Sequence, residues 1–372
     1  MRKNQLFCSL FALVGLAILC IILFTDIIAI FKNNIPEYHL PKCTKKTDIV
    51  FLKTHKAASS SIQNIIMRFG DRHDLLFVLP KTGNYLGHPH PFHHNMALKL
   101  KPSAVNTRYN IIAHHTRFNY SELKRVVPED AIFITILRDP AELFESLYSY
   151  YTLEYFYGTP VSNFGVNKTK RDINKRFTGR IGINQMSFDL GMDEKDFENV
   201  TVLMEFAKEI NSRFNLVMIA EQMDESLVLL KNLLCWETDD VTVFKLNTRD
   251  KKFVKPIDSR LRLQLEKVNY ADYVLYSFFK DKLAEKIQNF GEQKLAAEVR
   301  ELRKRRELWF NFCVQGENLV INIKNGKKPV YRNSKVTKLK AREDNDTCVK
   351  MAEEELIYTD MLRVKQKPLM SD

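Results

Sequence analysis

The chain has 372 residues, enough for one large or two ordinary domains with a buried core. Hydrophobic residues at 45% and charged residues at 27%, with only 12 Gly and 12 Pro, exclude a collagen-like chain or Gly/Pro-rich disorder. Lys and Arg number 57 against 45 Asp and Glu, a net +12 that fits an anionic partner: a phosphorylated cosubstrate, nucleic acid or an acidic membrane surface.

In chain order the first feature is Leu6 to Thr25, 20 residues without a charge, long enough to cross the roughly 30 Å of hydrocarbon as a helix. Arg2 and Lys3 precede it, so the positive-inside rule keeps residues 1–5 in the cytosol and sends the rest to the lumen, a single-pass type II arrangement. The run exceeds the core of a cleaved signal peptide, and no A-x-A site follows it, so 6–25 reads as a signal anchor. A lumenal domain meets no nucleic acid, which removes that partner. Residues 26–47, with Pro36 and Pro41 and no periodicity, read as a stem. Sequons at Asn119, Asn167, Asn199 and Asn345 are glycosylation acceptors if they are exposed there. Of six cysteines, Cys8 and Cys20 lie in the apolar span; Cys43, Cys235, Cys313 and Cys348 form an even set with three pairings open. None has C-x-x-C spacing, which argues against zinc or dithiol chemistry.

Short β-branched runs follow at Ile49–Leu52, Asn110–Ala113, Ala131–Leu137 and Leu216–Ile219, separated by helical patterning. Buried strands alternating with helices predict an α/β fold, a parallel sheet flanked by helices, in a domain spanning 48–320. Residues 256–312 read as helices capping that sheet. Residues 321–372 read as a basic C-terminal extension, its Lys-rich first part on the surface.

Two stretches carry chemistry. In the first, 49–69, a buried strand runs into a polar loop, and Ile62, Ile65, Ile66 and Phe69 then recur at helical spacing. A helix starting at the serines leaves its first-turn N–H groups free to hold an anion, assisted by Lys56 and the hydroxyls of Ser59 and Ser60. The loop has no glycine, unlike a Walker A motif, so ATPase or GTPase activity is disfavoured. In the second, 131–151, a strand ends in Arg138, and Asp139-Pro140 opens a helix carrying Ser146; Arg138 and Ser146 can converge on one phosphate. Taken singly, each stretch is also explained as a capped strand-to-helix junction.

Together and in this order, the two stretches resemble sulfotransferases that use 3′-phosphoadenosine 5′-phosphosulfate. The resemblance implies that Lys56, Ala57, Ala58, Ser59 and Ser60 bind the 5′-phosphosulfate, and Arg138 with Ser146 the 3′-phosphate. The stretches FLKTHKAASSSIQNI, HHTRFN, ILRDPAELFESLYSYY, FDLG, DESLVLLKNLLCW and FKLNTR are similar to the galactose-3-O-sulfotransferase family over about 48–315. That implies sulfation of the 3-hydroxyl of a terminal galactose, on a glycolipid of galactosylceramide type or a glycoprotein glycan, by a Golgi membrane enzyme. Association into a homo-oligomer is compatible with it. The stretch 256–290 and the Lys-rich tail depart from the family pattern.

Sulfuryl transfer is an in-line displacement, and it needs a base for the attacking hydroxyl and a cation for the charge developing on the leaving phosphate. Lys56 suits the cation. Among nine histidines, His114 and His115 stand where a strand ends. Related carbohydrate 2-O-sulfotransferases carry their base in an H-x-x-F context, which favours His115, with His114 the alternative. The family further implies that Lys53 and His55, in KTHK, orient the site or contact the sulfate. The run His88, His90, His93 and His94 offers metal ligands, but it is interrupted by Pro89 and Pro91 with no carboxylate close in sequence, and reads as an acceptor-side or solvated loop. No metal is expected. Two other classes stay open: a lumenal phosphoryl transferase or kinase, for which Asp139 is the one Mg²⁺ ligand in a fitting place, and a silent membrane-anchored glycan-binding protein.

Overall fold

The β-branched runs become strands of a single sheet. The computed structural model describes residues 43–101, 108–166, 168–245, 249, 254, 256–321 and 335–371. The expected cytosolic tail, anchor and all but the end of the stem lie outside these residues, as does Asn167. Among the described residues no helix is long and apolar enough to cross a membrane.

Five strands, β1 (Ile49–Leu52), β2 (Phe77–Val78), β3 (Ile111–Ile112), β4 (Ile132–Leu137) and β5 (Leu216–Ile219), form a parallel sheet in the order β2-β3-β1-β4-β5. Both faces are covered, so the strands are apolar throughout: Ile49, Val50, Phe51 and Leu52 are all buried. Each such side chain removed from water contributes roughly 1.5–3 kcal/mol. Polar side chains stitch the central pair: the Thr54 hydroxyl donates to the Ile136 carbonyl at 2.6 Å and Thr135 to Leu52 at 2.9 Å. Chain direction across the sheet reverses about β1 and β4, the place where open α/β sheets bind ligands at the carboxyl ends of their strands.

The longer helices are α1 (Ser59–Arg72), α2 (Pro140–Tyr150), α3 (Gln185–Asp189, one turn that matters below), α4 (Val200–Arg213), α5 (Met223–Leu234), α6 (Ser259–Val268), α7 (Tyr270–Phe290) and α8 (Glu292–Cys313). The last three fill the helical region expected over 256–312, with Asp258 capping α6 through Leu261 N–H at 2.7 Å. Of the sheet, only β2 was not foreseen; two residues are too few to show a period.

The C-terminal region corrects the sequence reading. After a β-hairpin of β6 (Val314–Ile321) and β7 (Lys335–Ala341), the helices α9 (Asp346–Ala352) and α10 (Glu355–Gln366) pack onto the sheet domain, beyond the domain boundary expected at residue 320. Tyr358 and Leu362 join the main core, and Gln366 pairs with both the N–H and the carbonyl of Phe77, covering the edge strand β2. The sequence reading placed no helix here, although Leu356, Ile357, Tyr358, Met361, Leu362 and Val364 make up half of α10. Cys313 and Cys348 form a disulfide that ties the end of α8 to α9; Cys43 and Cys235 are also disulfide-bonded.

Candidate active site

The carboxyl ends of three adjacent strands, β3, β1 and β4, bring the expected residues to one place. After β1 the chain turns through left-handed backbone at Lys56 (φ 55°) and Ala58 (φ 58°), neither of them glycine. Such geometry persists only where surroundings enforce it, and it collects at ligand sites. Ala58 provides no side-chain cap, so the first-turn N–H groups of α1 have no side-chain partner. These groups and the helix dipole suit an anion.

The hydroxyls divide differently from expectation. Ser59 donates its hydroxyl to the Thr54 carbonyl at 2.5 Å, so this side chain braces the loop and only its backbone faces the cradle. Ser60 Oγ lies 3.4 Å from Lys53 Nζ. Lys53 is fully buried and paired with Glu355 of α10, whose other oxygen accepts from Asn84 at 3.1 Å. Burial lowers the Lys53 ammonium and Glu355 pulls it back. Lys53 is thus beneath the cradle, held by a residue from the far end of the chain.

Lys56 Nζ lies 3.9 Å from the centre of the Tyr150 ring. Burial, and then the positive charges of Arg138, Arg249 and Lys53, lower it to about 7. Positive charge gathered around one buried ammonium favours an anionic ligand there. Arg138 donates to the Lys56 carbonyl at 3.1 Å, joining the β4 terminus to the cradle. Asp139 caps α2 through Glu142 N–H at 3.0 Å and holds Arg262 at 2.8 Å, so it is engaged as a structural group rather than as a metal ligand. Ser146 stands on α2, half-buried, next to Glu145, which pairs with Arg249. Arg249, in FKLNTR, is a cation of the cluster that the sequence reading did not assign.

The two adjacent histidines separate, as neighbours in extended chain do. His114 turns into the core: its Nε2 donates to the Thr359 hydroxyl at 3.0 Å, that hydroxyl being committed as a donor to the Glu355 carbonyl, and its Nδ1 is buried without a partner. Burial lowers it to about 3. His115 faces the cradle. Its Nδ1–H donates to the Lys53 carbonyl at 3.0 Å, which leaves Nε2 unprotonated, and it stacks on His55 at 4.1 Å between centroids. Burial, with His55, Lys53 and His88 adding to it, holds His115 well below the ordinary histidine value. With the proton held on Nδ1 by the Lys53 carbonyl, Nε2 is the ring atom left to accept one.

The residue that sequence reasoning missed is Asp189, in FDLG. Fully buried, its Oδ2 accepts from His55 N–H at 2.9 Å and His55 Nδ1–H at 2.8 Å, and its Oδ1 from His88 Nε2–H at 3.1 Å and Gln185 Nε2–H at 2.9 Å. Burial raises the carboxyl, but the charges and hydrogen bonds of His55 and His88 outweigh it and hold it below the carboxylate range. His88 leaves the histidine loop for this cluster, while His90 and His93 stay exposed and His94 pairs with Glu122 at 2.6 Å. His55, His88 and Asp189 are close enough to share a metal ion, as are His93, His94 and Glu122. Four N–H donors already satisfy Asp189, one of them a backbone group that cannot be deprotonated, so the buried trio fits a hydrogen-bonded cluster better.

Packing explains FDLG as a unit. Phe118 N–H donates to the Asp189 carbonyl at 2.8 Å, and Arg117 of HHTRF donates to the carbonyls of Phe188 (3.2 Å) and Met192 (2.7 Å), closing the end of α3. A Cβ on Gly191 (φ +97°) would come 2.6 Å from the Phe118 carbonyl oxygen, so only glycine fits. The HHTRF and FDLG motifs touch, and thereby fix His115 and Asp189 relative to each other. Sequons Asn199 and Asn345 cap helices α4 and α9 through their side-chain oxygens, at 3.3 and 3.1 Å, and Asn119 precedes a one-turn helix at 120–124.

Comparison with known proteins converges on one family. A family model described as galactose-3-O-sulfotransferase matches residues 5–366. The chain is 38% identical to the galactosylceramide sulfotransferase of Homo sapiens over 285 residues, covering 75% of this chain and 67% of that protein. To the Bos taurus galactosylceramide sulfotransferase it is 36% identical, over 75% and 66%. To galactose-3-O-sulfotransferase 2 of Homo sapiens it is 31% identical over 345 residues, 87% of this chain and 84% of the relative. The match thus spans about two thirds of the galactosylceramide enzymes.

Proposed function

The chain belongs to the galactose-3-O-sulfotransferase family, and from that premise we propose that it moves a sulfuryl group from 3′-phosphoadenosine 5′-phosphosulfate to the 3-hydroxyl of a terminal galactose, on a glycolipid or a glycoprotein glycan. The observation that carries this reading is the convergence, at three neighbouring strand ends, of an anion cradle with Lys56, an arginine on the next strand, and an imidazole with a bare Nε2. In this reading the N–H groups of residues 57–60 and Lys56 hold the phosphosulfate, and Lys56 meets the charge that grows on the leaving phosphate. Arg138 and Ser146 take the 3′-phosphate, with Arg249 adding charge. His115 Nε2 accepts the proton of the attacking hydroxyl, its tautomer fixed by the Lys53 carbonyl. No step calls for a metal. The apolar span 6–25 anchors the domain on the lumenal side of a Golgi membrane, where Asn119, Asn199 and Asn345 are glycan acceptors.

The test uses the full-length chain in detergent. Adenosine 3′,5′-bisphosphate should stabilise it against heat far more than adenosine 5′-monophosphate, and labelled sulfate should pass to β-galactosides. His115→Ala should lower kcat by roughly 10²-fold or more while bisphosphate binding survives, and His114→Ala should act on stability. Equal stabilisation by both nucleotides rejects the donor assignment; a preference for ATP with Mg²⁺ points to a kinase; donor binding without transfer to any sugar points to a silent glycan-binding protein.

A further inference from the structure

Beside the His115 side of the site stands a guanidinium that the protein itself does not use. Residues 177–181 form a tight turn: the Phe177 N–H donates to the Ile181 carbonyl at 2.7 Å, and Thr178 (φ 53°) and Gly179 (φ +70°) take left-handed backbone at its tip. The turn is built onto the Asp189 cluster, because Gln185 Nε2 donates both to the Arg180 carbonyl at 3.1 Å and to Asp189 at 2.9 Å. It rests on the loop that carries His88, a Cβ on Gly179 lying 3.9 Å from Pro89 Cγ. From this base the half-buried Arg180 side chain reaches over the Tyr85 ring, 5.0 Å from its centre, and that ring is 5.1 Å from the ring of His115. Arg180 Nε is buried without a hydrogen-bond partner, and among the described residues no carboxylate or carbonyl takes the rest of its fork. Arg117 and Arg176, which pack against α3, spend theirs on the carbonyls of Met192 (2.7 Å) and Ile183 (2.6 Å) and on Asp193 and Glu194. A buried donor left unpaired is a cost that folded proteins rarely carry without a use.

We propose that Arg180 anchors the acceptor: its fork of N–H groups takes hydroxyl oxygens of the sugar whose attacking hydroxyl gives its proton to His115. A guanidinium only donates, so it reads acceptor atoms on the ligand, and its planar fork can hold two oxygens of one sugar together. The cations that crowd Lys56 most are Arg138, Arg249 and Lys53, whereas Arg180 lies next to Tyr85 and, beyond it, His115. Its place is therefore with the sugar and not with the phosphates of the donor. A site with a donor fork there selects a sugar that offers an oxygen and disfavours one that lacks it. The inference rests on the sugar-sulfating reading above and assigns a specificity residue within that site.

The experiment measures initial rates of the full-length chain in detergent, as wild type, Arg180→Met and Arg180→Lys, with the β-galactoside and the sulfate donor varied in turn. Arg180→Met keeps an apolar stem against Tyr85 and removes the donors. Its KM for the galactoside should rise about tenfold or more, the size of a hydrogen bond from a charged group, while kcat and the donor KM stay near wild type. Arg180→Lys should recover part of the loss, since an ammonium restores the charge but not the fork. Among the 2-, 4- and 6-deoxy galactosides, wild type should bind at least one as weakly as Arg180→Met binds the parent, and Arg180→Met should no longer tell that analogue from the parent. The matching deoxyfluoro sugar, which accepts a hydrogen bond but cannot donate one, should regain part of the affinity with wild type. An Arg180→Met protein that melts lower but keeps the wild-type galactoside KM overturns the proposal, because Arg180 then only supports the fold. A rise in the donor KM alone overturns it as well, and so does a wild type that treats all three deoxy sugars like the parent. Failure of wild type to sulfate any galactoside rejects the underlying reading, whereas wild-type transfer with an unaltered acceptor KM in Arg180→Met rejects this inference alone.

Discussion

Lys56 ties the electrostatics of the cradle to a measurable pH dependence. Its pKa is lowered to about 7 by burial and by Arg138, Arg249 and Lys53, and a phosphate bound among these cations raises it again. Below about 7 the ammonium is already charged, and the affinity for adenosine 3′,5′-bisphosphate is at its full value. Above 7 each binding event must take up a proton, so affinity falls, by up to tenfold per pH unit, until the pKa of the complex is reached. Calorimetric titration between pH 7 and 9 should show this decline with net proton uptake. Lys56→Arg should flatten the curve, since a guanidinium stays charged. An affinity constant over that range would mean that Lys56 does not meet the anion. At this scale the sequence was legible for the cations, because Arg138 directly follows its strand and Lys56 lies in the short loop between strand and helix. It could not separate His114 from His115, since the side to which each points depends on which face of the sheet α10 covers. Asp189 was hidden for another reason: it reaches His55 across 134 positions of sequence, and a single acidic residue in an apolar stretch carries no spacing signal.

At the level of elements, the four runs read as strands are strands, because buried parallel strands are apolar along their whole length and stand out from the helices around them. α10 was not foreseen, although its Tyr358 and Leu362, one helical turn apart, both face the core. That helix completes the site: it supplies Glu355 to Lys53 and Thr359 to His114. Lys53 is fully buried, and removing one partner of a buried pair leaves a charge unsolvated, at a cost on the order of 3 kcal/mol. Glu355→Ala should therefore lower Tm by roughly 5 °C or more. Lys53→Met with Glu355→Met should regain much of that loss, because a matched apolar pair has no charge to desolvate. Thermal denaturation of the three proteins checks both statements. If Glu355→Ala melts with wild type, Lys53 has another counter-charge and α10 is not a structural part of the cradle. The Cys313–Cys348 disulfide adds to the same attachment by holding the chain that leads into α10.

For the molecule as a whole, the net charge of +12 and the local cation cluster act at different distances, and ionic strength separates them. A polyanionic donor approaching a positively charged protein is steered over a range set by the Debye length, about 10 Å at 0.1 M salt and about 3 Å at 1 M. Contacts inside the cradle, where Lys53 is buried and Lys56 packs against Tyr150, are screened far less. Raising salt from about 0.05 to 0.5 M should thus lower kcat/KM for the donor several-fold through slower association. kcat at saturating donor should hardly change, since the charge on the leaving phosphate is met by groups already in place. Initial rates at varied donor, at several salt concentrations and a saturating galactoside, distinguish the two. If kcat falls in step with kcat/KM, salt is reaching the cradle itself, and the cations there are more open to solvent than their burial implies. If neither moves, the net charge does not assist donor capture, and its role lies with the membrane surface to which the span 6–25 would hold the domain.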